Sequence, residues 1–298
     1  MSTVAAAPAP VADGRFGVSE WSLFLAVAGI WGASFLLIDI GLDALEPGVV
    51  TFMRVGFGAL TLAVVPNRPA EFEAGDRARL VVLSVVWVGV PFTLFPLAEQ
   101  HINSATTGLL NGGTPIFTAI VAAIWYRHRP TAALLTGLAV GFTGVALISI
   151  PSIGDGSSEA LGVAMVVAAT CCYGVAANLA APLIRQYGSL PVMRRMLALA
   201  TLWTLPFGLI GLRDSSIAAG PMIAVVVLGV VGTGVAYLVM ATLVGRVGAP
   251  RASFITYLIP VVSLVLGVVF RDDHVPALAL AGIALVIAGA LLAGRSRC

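Results

Sequence analysis

Lysine is absent from this chain. Its 16 basic residues are all arginine, and arginines and acids together make up only 10% of 298 residues. A soluble domain would carry roughly a quarter charged residues, so an ordinary water-soluble fold is excluded. Cysteine is scarce too. Cys171 and Cys172 are adjacent in an apolar run and Cys298 ends a tail, so no metal spacing and no disulfide framework can be built. No Walker motif, no HExxH, no paired acids and no Ser/His or Cys/His constellation occurs in the apolar runs. Drive by ATP would then need another chain. An intramembrane enzyme is the weaker alternative, and no cofactor, metal or nucleic-acid partner is expected.

What fills the chain is apolar. Such residues make up 59% of it, and the mean hydropathy is +1.03. Ten apolar segments follow one another at about 20–40, 48–66, 79–98, 104–125, 131–149, 160–181, 192–212, 220–243, 249–270 and 276–293. Each is near the ~20 residues that a helix needs to span a bilayer. Short connections make neighbouring helices antiparallel. Residues 1–19 read as a disordered cytoplasmic tail. They do not read as a signal peptide, because the run after Arg15 is long and has no clear cleavage site. Residues 20–149 and 160–293 are expected to form two five-helix units, and 294–298 a second cytoplasmic tail.

Arginine sets the expected orientation. With the N-terminus cytoplasmic, 13 arginines fall inside, Arg213 and Arg271 fall outside, and Arg54 lies within a span. The outer turns are acidic: Asp43, Glu46, Glu99, Asp155, Glu159, Asp214, Asp272 and Asp273. Glu99 and His101 are assigned to the turn between the third and fourth spans because both would be costly at mid-bilayer. There they are solvated. No buried acid suited to a coupled proton is apparent.

The stretch Ser104–Ile148 returns near the C-terminus. Laying Pro115 on Pro260 gives an offset of 145 (260 − 115), at which Gly137 falls on Gly282 and Gly144 on Gly289. Ala132, Leu135, Ala139 and Leu147 also meet identical residues. This is an internal duplication. An odd number of helices per unit turns the second unit upside down, and inverted repeats are the signature of alternating-access transporters with a midplane substrate site.

The chain resembles the EamA family of the drug/metabolite transporter superfamily. The residues that carry the likeness are Trp31-Gly32-Ala33-Ser34-Phe35, Arg54, Ser104-Ala105 with Leu109-Leu110 and Pro115-Ile116, then Gly137, Gly144, Pro260, Gly282 and Gly289. The resemblance implies an all-α integral membrane protein of ten transmembrane helices in two inverted five-helix repeats. One feature departs from the family pattern. A Gly-Glu-Arg-like turn usually ends helices 4 and 9, whereas here Trp125-Tyr126-Arg127 and Arg271-Asp272-Asp273 stand there. In this the chain is more similar to the amino-acid exporter branch, which implies export of amino acids across a bacterial inner membrane. A transporter of a different metabolite or drug is the alternative within the superfamily. A monomer suffices for such a carrier.

Polar and aromatic residues inside the spans are the candidate substrate-binding set: Trp31, Ser34, Trp87, Asn111, Thr114, Tyr173, Tyr237 and Tyr257. Thr107, Asn111 and Thr114 share one face of a continuous helix. Such a face avoids lipid, either to line a cavity or to bond neighbouring helices. Pro115 frees a carbonyl one turn earlier, beside Asn111. Ser253, Tyr257 and Pro260 form the matching face in the second unit. A mid-bilayer Trp or Tyr must satisfy its N–H or O–H, which points it toward protein or water. Trp31 and Tyr173, each followed by glycine, would face each other across a pseudo-two-fold axis. Trp21, Trp125 and Phe270 lie at span ends and suit the interfacial belt. Arg54 has three readings: snorkelling to outer headgroups, pairing with Asp39, or attraction of a substrate carboxylate.

Overall fold

The computed structural model describes residues 17–66, 70–125, 127, 131–154, 157–247, 252 and 255–294. Among them are ten helices and no strand. They are α1 Val18–Leu42, α2 Pro47–Ala63, α3 Ala74–Glu99, α4 Ser104–Trp125 and α5 Ala132–Gly154. The second set is α6 Ser157–Tyr187, α7 Ser189–Gly211, α8 Ala219–Val247, α9 Ile255–Arg271 and α10 Ala277–Gly294. Each expected span contains one helix. Most of the two tails lies outside the described residues, as does Ser253.

Five of the helices (α1, α3, α4, α6 and α8) are long and apolar enough to cross a membrane. The outward surface is apolar as well. Leu60, Ile124, Leu202, Ile210, Ile223 and Val269 are each more than half exposed. In water such a surface would aggregate, whereas lipid solvates it. Trp21, Trp125 and Phe270 are exposed near helix ends, where the belt reading put them.

Three helices depart from regular geometry. In α4 the helix stops at Asn111, Gly112 and Gly113 turn, and it resumes at Thr114. Pro115 has no N–H to give the Asn111 carbonyl. The Thr114 hydroxyl donates to that carbonyl instead, at 2.8 Å. The continuous face of Thr107, Asn111 and Thr114 is therefore interrupted, a correction to the regular-helix expectation. In α3 and α8, Ser84–Gly89 and Val230–Val235 are π-helical. Each π turn carries one extra residue and shifts the side chains beyond it around the axis. Neither was foreseen from hydropathy, which does not distinguish one helical pitch from another over six residues.

The packing has a doubled pattern. Helix α1 lies against α8 and α9, while α6 lies against α3 and α4. Helices α2 and α7 pack on each other, as do α5 and α10. Closest approaches occur at glycine. A Cβ on Gly32 would meet Val262 of α9 at 2.5 Å, and one on Gly174 of α6 would meet the Phe117 backbone of α4 at 2.8 Å. Phe117 and Val262 are 145 apart. A Cβ on Gly144 would meet the Gly282 carbonyl at 2.6 Å, and one on Gly289 would meet that of Gly137 at 2.6 Å. Under the 145-residue offset each of these two contacts becomes the other, and their order along α5 and α10 is antiparallel. Among the described residues, the non-glycine positions with positive φ are Arg127 (51°) and Asp272 (54°), again 145 apart. The π segments are 146 apart (230 − 84).

Candidate functional site

Helices α1, α2, α3, α6 and α8 converge on one buried guanidinium. Arg54 of α2 is only 6% exposed. Its Nε donates to Thr233 Oγ1 of α8 at 3.3 Å, and its Cζ lies 3.8 Å from the centroid of the Phe92 ring of α3. Gly229 lets α8 come this close, since a Cβ there would meet the Arg54 carbonyl at 2.9 Å. Among the described residues no carboxylate lies within 4.0 Å of the guanidinium. The snorkelling reading is thus corrected: the side chain turns inward, where Thr233 and Phe92 hold it. The pairing with Asp39 is corrected too, because Asp39 is taken by Arg271 of α9.

Aromatic rings surround this charge. Tyr237 of α8 lies edge-to-face with Trp31 of α1 at 6.2 Å and with Trp87 of α3 at 6.4 Å. Tyr173 of α6 stacks obliquely on Phe95 at 5.9 Å, and Phe95 meets Phe35 of α1 at 5.5 Å. Both tyrosines lie in the electrostatic reach of Arg54. Trp31 and Tyr173 each pack against both apolar cores of the molecule, so they occupy the seam between them. Their rings reach different partners, Tyr237 and Phe95. Ser34 is buried near Gly232 of α8, and its hydroxyl donates to the Ile30 carbonyl at 3.1 Å. Tyr237 also borders a narrow crevice between α2, α7 and α8, together with Leu62, Leu190, Met193 and Leu238.

The remaining candidates lie elsewhere. Asn111 and Thr114 sit at the α4 break. There a Cβ on the neighbouring Gly112 would meet Pro260 of α9 and Ile283 of α10, each at 3.2 Å. Tyr257 is half-buried on α9, which packs on α1 and α4. Phe35, Phe92, Phe95 and Thr233 are the residues that sequence reasoning missed. Phe and Thr in a span carry no charge signal, and the π turn that shifts Thr233 around α8 is invisible to periodicity.

One end of the bundle is closed by polar contacts between its halves. Arg271 bonds Asp39, and it also bonds both oxygens of Asp43, at 2.7 and 3.0 Å. Asp273 accepts from the Ser104 hydroxyl at 2.9 Å and from the Ala105 N–H at 3.0 Å. Ser215 accepts from the Glu46 N–H at 2.9 Å. At the opposite end Arg246 of α8 reaches Ser19 at 2.7 Å and Glu20 at 3.2 Å. Glu99, expected in a solvated turn, instead ends α3 with both carboxylate oxygens buried and without a hydrogen-bond partner among the described residues. His101 does lie in the turn, bonded to Ser158 at 2.7 Å.

A lipid-facing bundle of ten helices with a buried cation and an aromatic wall defines the class, a multi-pass membrane protein. The chain belongs to the EamA-like transporter family, whose model matches it twice, over residues 19–150 and 160–295. That membership removes the intramembrane-enzyme alternative. The chain is 28% identical over 286 residues to a probable terminal-alkyne amino-acid exporter of Streptantibioticus cattleyicolor, covering 94% of this chain and 95% of that one. It is 25% identical over 281 residues to a probable amino-acid metabolite efflux pump of Escherichia coli, at 90% and 92% coverage. An uncharacterized transporter of Archaeoglobus fulgidus is 25% identical over 284 residues, covering 94% of this chain and all of that one. A solved crystal structure superposes with a TM-score of 0.61 at 20% identity, over 92% of this chain and 96% of the other, which shows a shared fold.

Proposed function

We propose that this protein exports amino acids, preferentially those with apolar or aromatic side chains, across a bacterial inner membrane by alternating access. In this reading both termini are cytoplasmic and the two five-helix units are inverted repeats. The substrate carboxylate docks on Arg54, and its side chain lies among Trp31, Trp87, Tyr173 and Tyr237. Ser34, Asn111, Thr114 and Tyr257 flank the path as the halves rock.

The observation that carries the reading is the buried Arg54, with no carboxylate of the described residues within ion-pair distance. A buried charge costs several kcal/mol unless it is matched. Thr233 and the Phe92 face use only part of a five-donor fork suited to a bidentate carboxylate. The reciprocal, antiparallel glycine contacts of α5 and α10 support the inverted arrangement. The names carried by the Streptantibioticus and Escherichia relatives support the substrate class.

Exchange of labelled phenylalanine in proteoliposomes tests it. Phenylalanine should compete at least tenfold better than phenylalaninamide, which lacks the carboxylate. Arg54→Gln should erase that preference. Equal competition by both compounds against the wild-type protein would remove the carboxylate from the site.

A further inference from the structure

Glu99 is a second buried charge, at the opposite sign, and the mechanism above does not use it. Both carboxylate oxygens are shielded from solvent and bond to nothing among the described residues. The backbone places it there deliberately. Ala98, one residue earlier, is fully buried and its carbonyl would lie 3.1 Å from a Cβ on Gly162, so α3 and α6 are in close contact at this level. The ionisable groups that act on Glu99 come from three directions: Asp39 of α1, Arg54 of α2, and Arg271 with Asp273 at the end of α9. Of the two cations, Arg271 is already spent on Asp39 and Asp43. Nearby, Ser104 at the start of α4 is spent on Asp273, and His101 turns away to Ser158 at the start of α6.

A carboxylate so placed has two ways to avoid the cost of burial: it takes up a proton, or it takes a cation from the transport path. Its position favours the proton. It lies at the end of the bundle that the Arg271–Asp39–Asp43 and Asp273–Ser104 contacts close, and these contacts join the two halves. When the halves part at this end, Glu99 meets the outer solution. When they close, it is sealed on the side of Arg54.

We propose that Glu99 is the protonation site that couples this transporter to the proton gradient, taking one proton from the outside as substrate leaves and releasing it inside. The charge changes in sequence. Glu99 carries a negative charge facing inward, accepts H⁺ when the outer contacts open, and crosses as the neutral acid. Substrate and proton exclude one another at this carboxylate: the ammonium group of a bound amino acid is a cation that holds Glu99 ionised, and its departure lets the carboxyl take up the proton. The coupled flux rests on the substrate class proposed above, whereas protonation itself does not.

Two measurements test this. Infrared difference spectra of the reconstituted protein between acid and neutral pH need no substrate. They should show a protonated-carboxyl band that Glu99→Gln removes. In proteoliposomes, an outside-acid gradient should accelerate phenylalanine export several-fold in the wild type. Glu99→Gln should be indifferent to the gradient. Glu99→Asp should restore the response with a shifted pH midpoint, which separates coupling from a folding defect. A band that survives in Glu99→Gln overturns the proposal, as does a gradient response that survives in it. Wild-type export that ignores the gradient overturns it too. If the band behaves as expected but no amino acid is carried, the substrate reading fails and the proton site stands.

Discussion

Single residues decide what the interior can hold. In the proposed binding mode Arg54 and Trp31 bear on different parts of the substrate, one on its charge and one on its side chain. Trp31 meets Tyr237 edge-to-face, a contact type that contributes about 0.5–1.5 kcal/mol beyond area burial. A bound apolar side chain entering this wall gains interactions of the same order. Trp31→Ala should therefore weaken competition by phenylalanine and methionine about tenfold, since ~1.4 kcal/mol is a factor of ten. Serine should lose less. Competition by the three against labelled phenylalanine in the mutant reads this out directly. An equal loss for all three would make Trp31 a packing residue. The sequence singled out Arg54 and Trp31 because charge and indole are conspicuous in an apolar run. It passed over Phe92 and Thr233, which hold the guanidinium, because neither type stands out there.

At the scale of the element, glycine placement sets how near two helices come. Helices α5 and α10 touch through the glycines that the offset of 145 had paired. Gly144 leaves no room, because an added Cβ would lie 2.6 Å from both the Gly282 carbonyl and the Val286 N–H. Backbone cannot yield as a side-chain end can. Gly144→Ala should cost about 1–3 kcal/mol of overpacking, seen as a lower midpoint of thermal unfolding in detergent. Gly56→Ala is the control, since an added Cβ there meets nothing within 4 Å, and its midpoint should stay unchanged or rise. An equal drop in both variants would mean that helix propensity rather than close approach governs the loss. Spans were legible from hydropathy because lipid demands continuous apolar length. The α4 break was half legible: Pro115 announced an orphaned carbonyl, but only the folded helix shows that Thr114 satisfies it.

For the whole molecule, the arginine distribution and the closed end of the bundle make one testable map. In the proposed orientation, which rests on the positive-inside bias, the 150–159 connection is external, as is the Arg271, Asp39 and Asp43 cluster. With Cys171, Cys172 and Cys298 replaced, Gly156→Cys should react with an impermeant thiol reagent on intact spheroplasts. Labelling only after lysis would invert the map. The cluster itself should act as a latch. Arg271→Ala leaves Asp39 and Asp43 unpaired and repelling, so the outer end should open more often. An added Ala105→Cys, buried at that end, should then label several-fold faster than in the Arg271 background. Unchanged labelling would mean that the apolar contacts of α1 and α9 hold that end without the ion pairs.

By itself the sequence determined the solvent, the number of spans and the repeat. These follow from composition and from spacing along the chain, which lipid and duplication impress on every segment alike. Tertiary structure decided which way each charged side chain turns and what it meets. Asp39 finds Arg271 at a separation of 232 residues, and Arg54 finds Thr233 at 179. Glu99, one residue from a turn, could face water or the interior. Each such choice depends on the rotation of a helix about its axis, which π turns and glycine contacts set. A linear pattern that is apolar on every side carries no record of that angle.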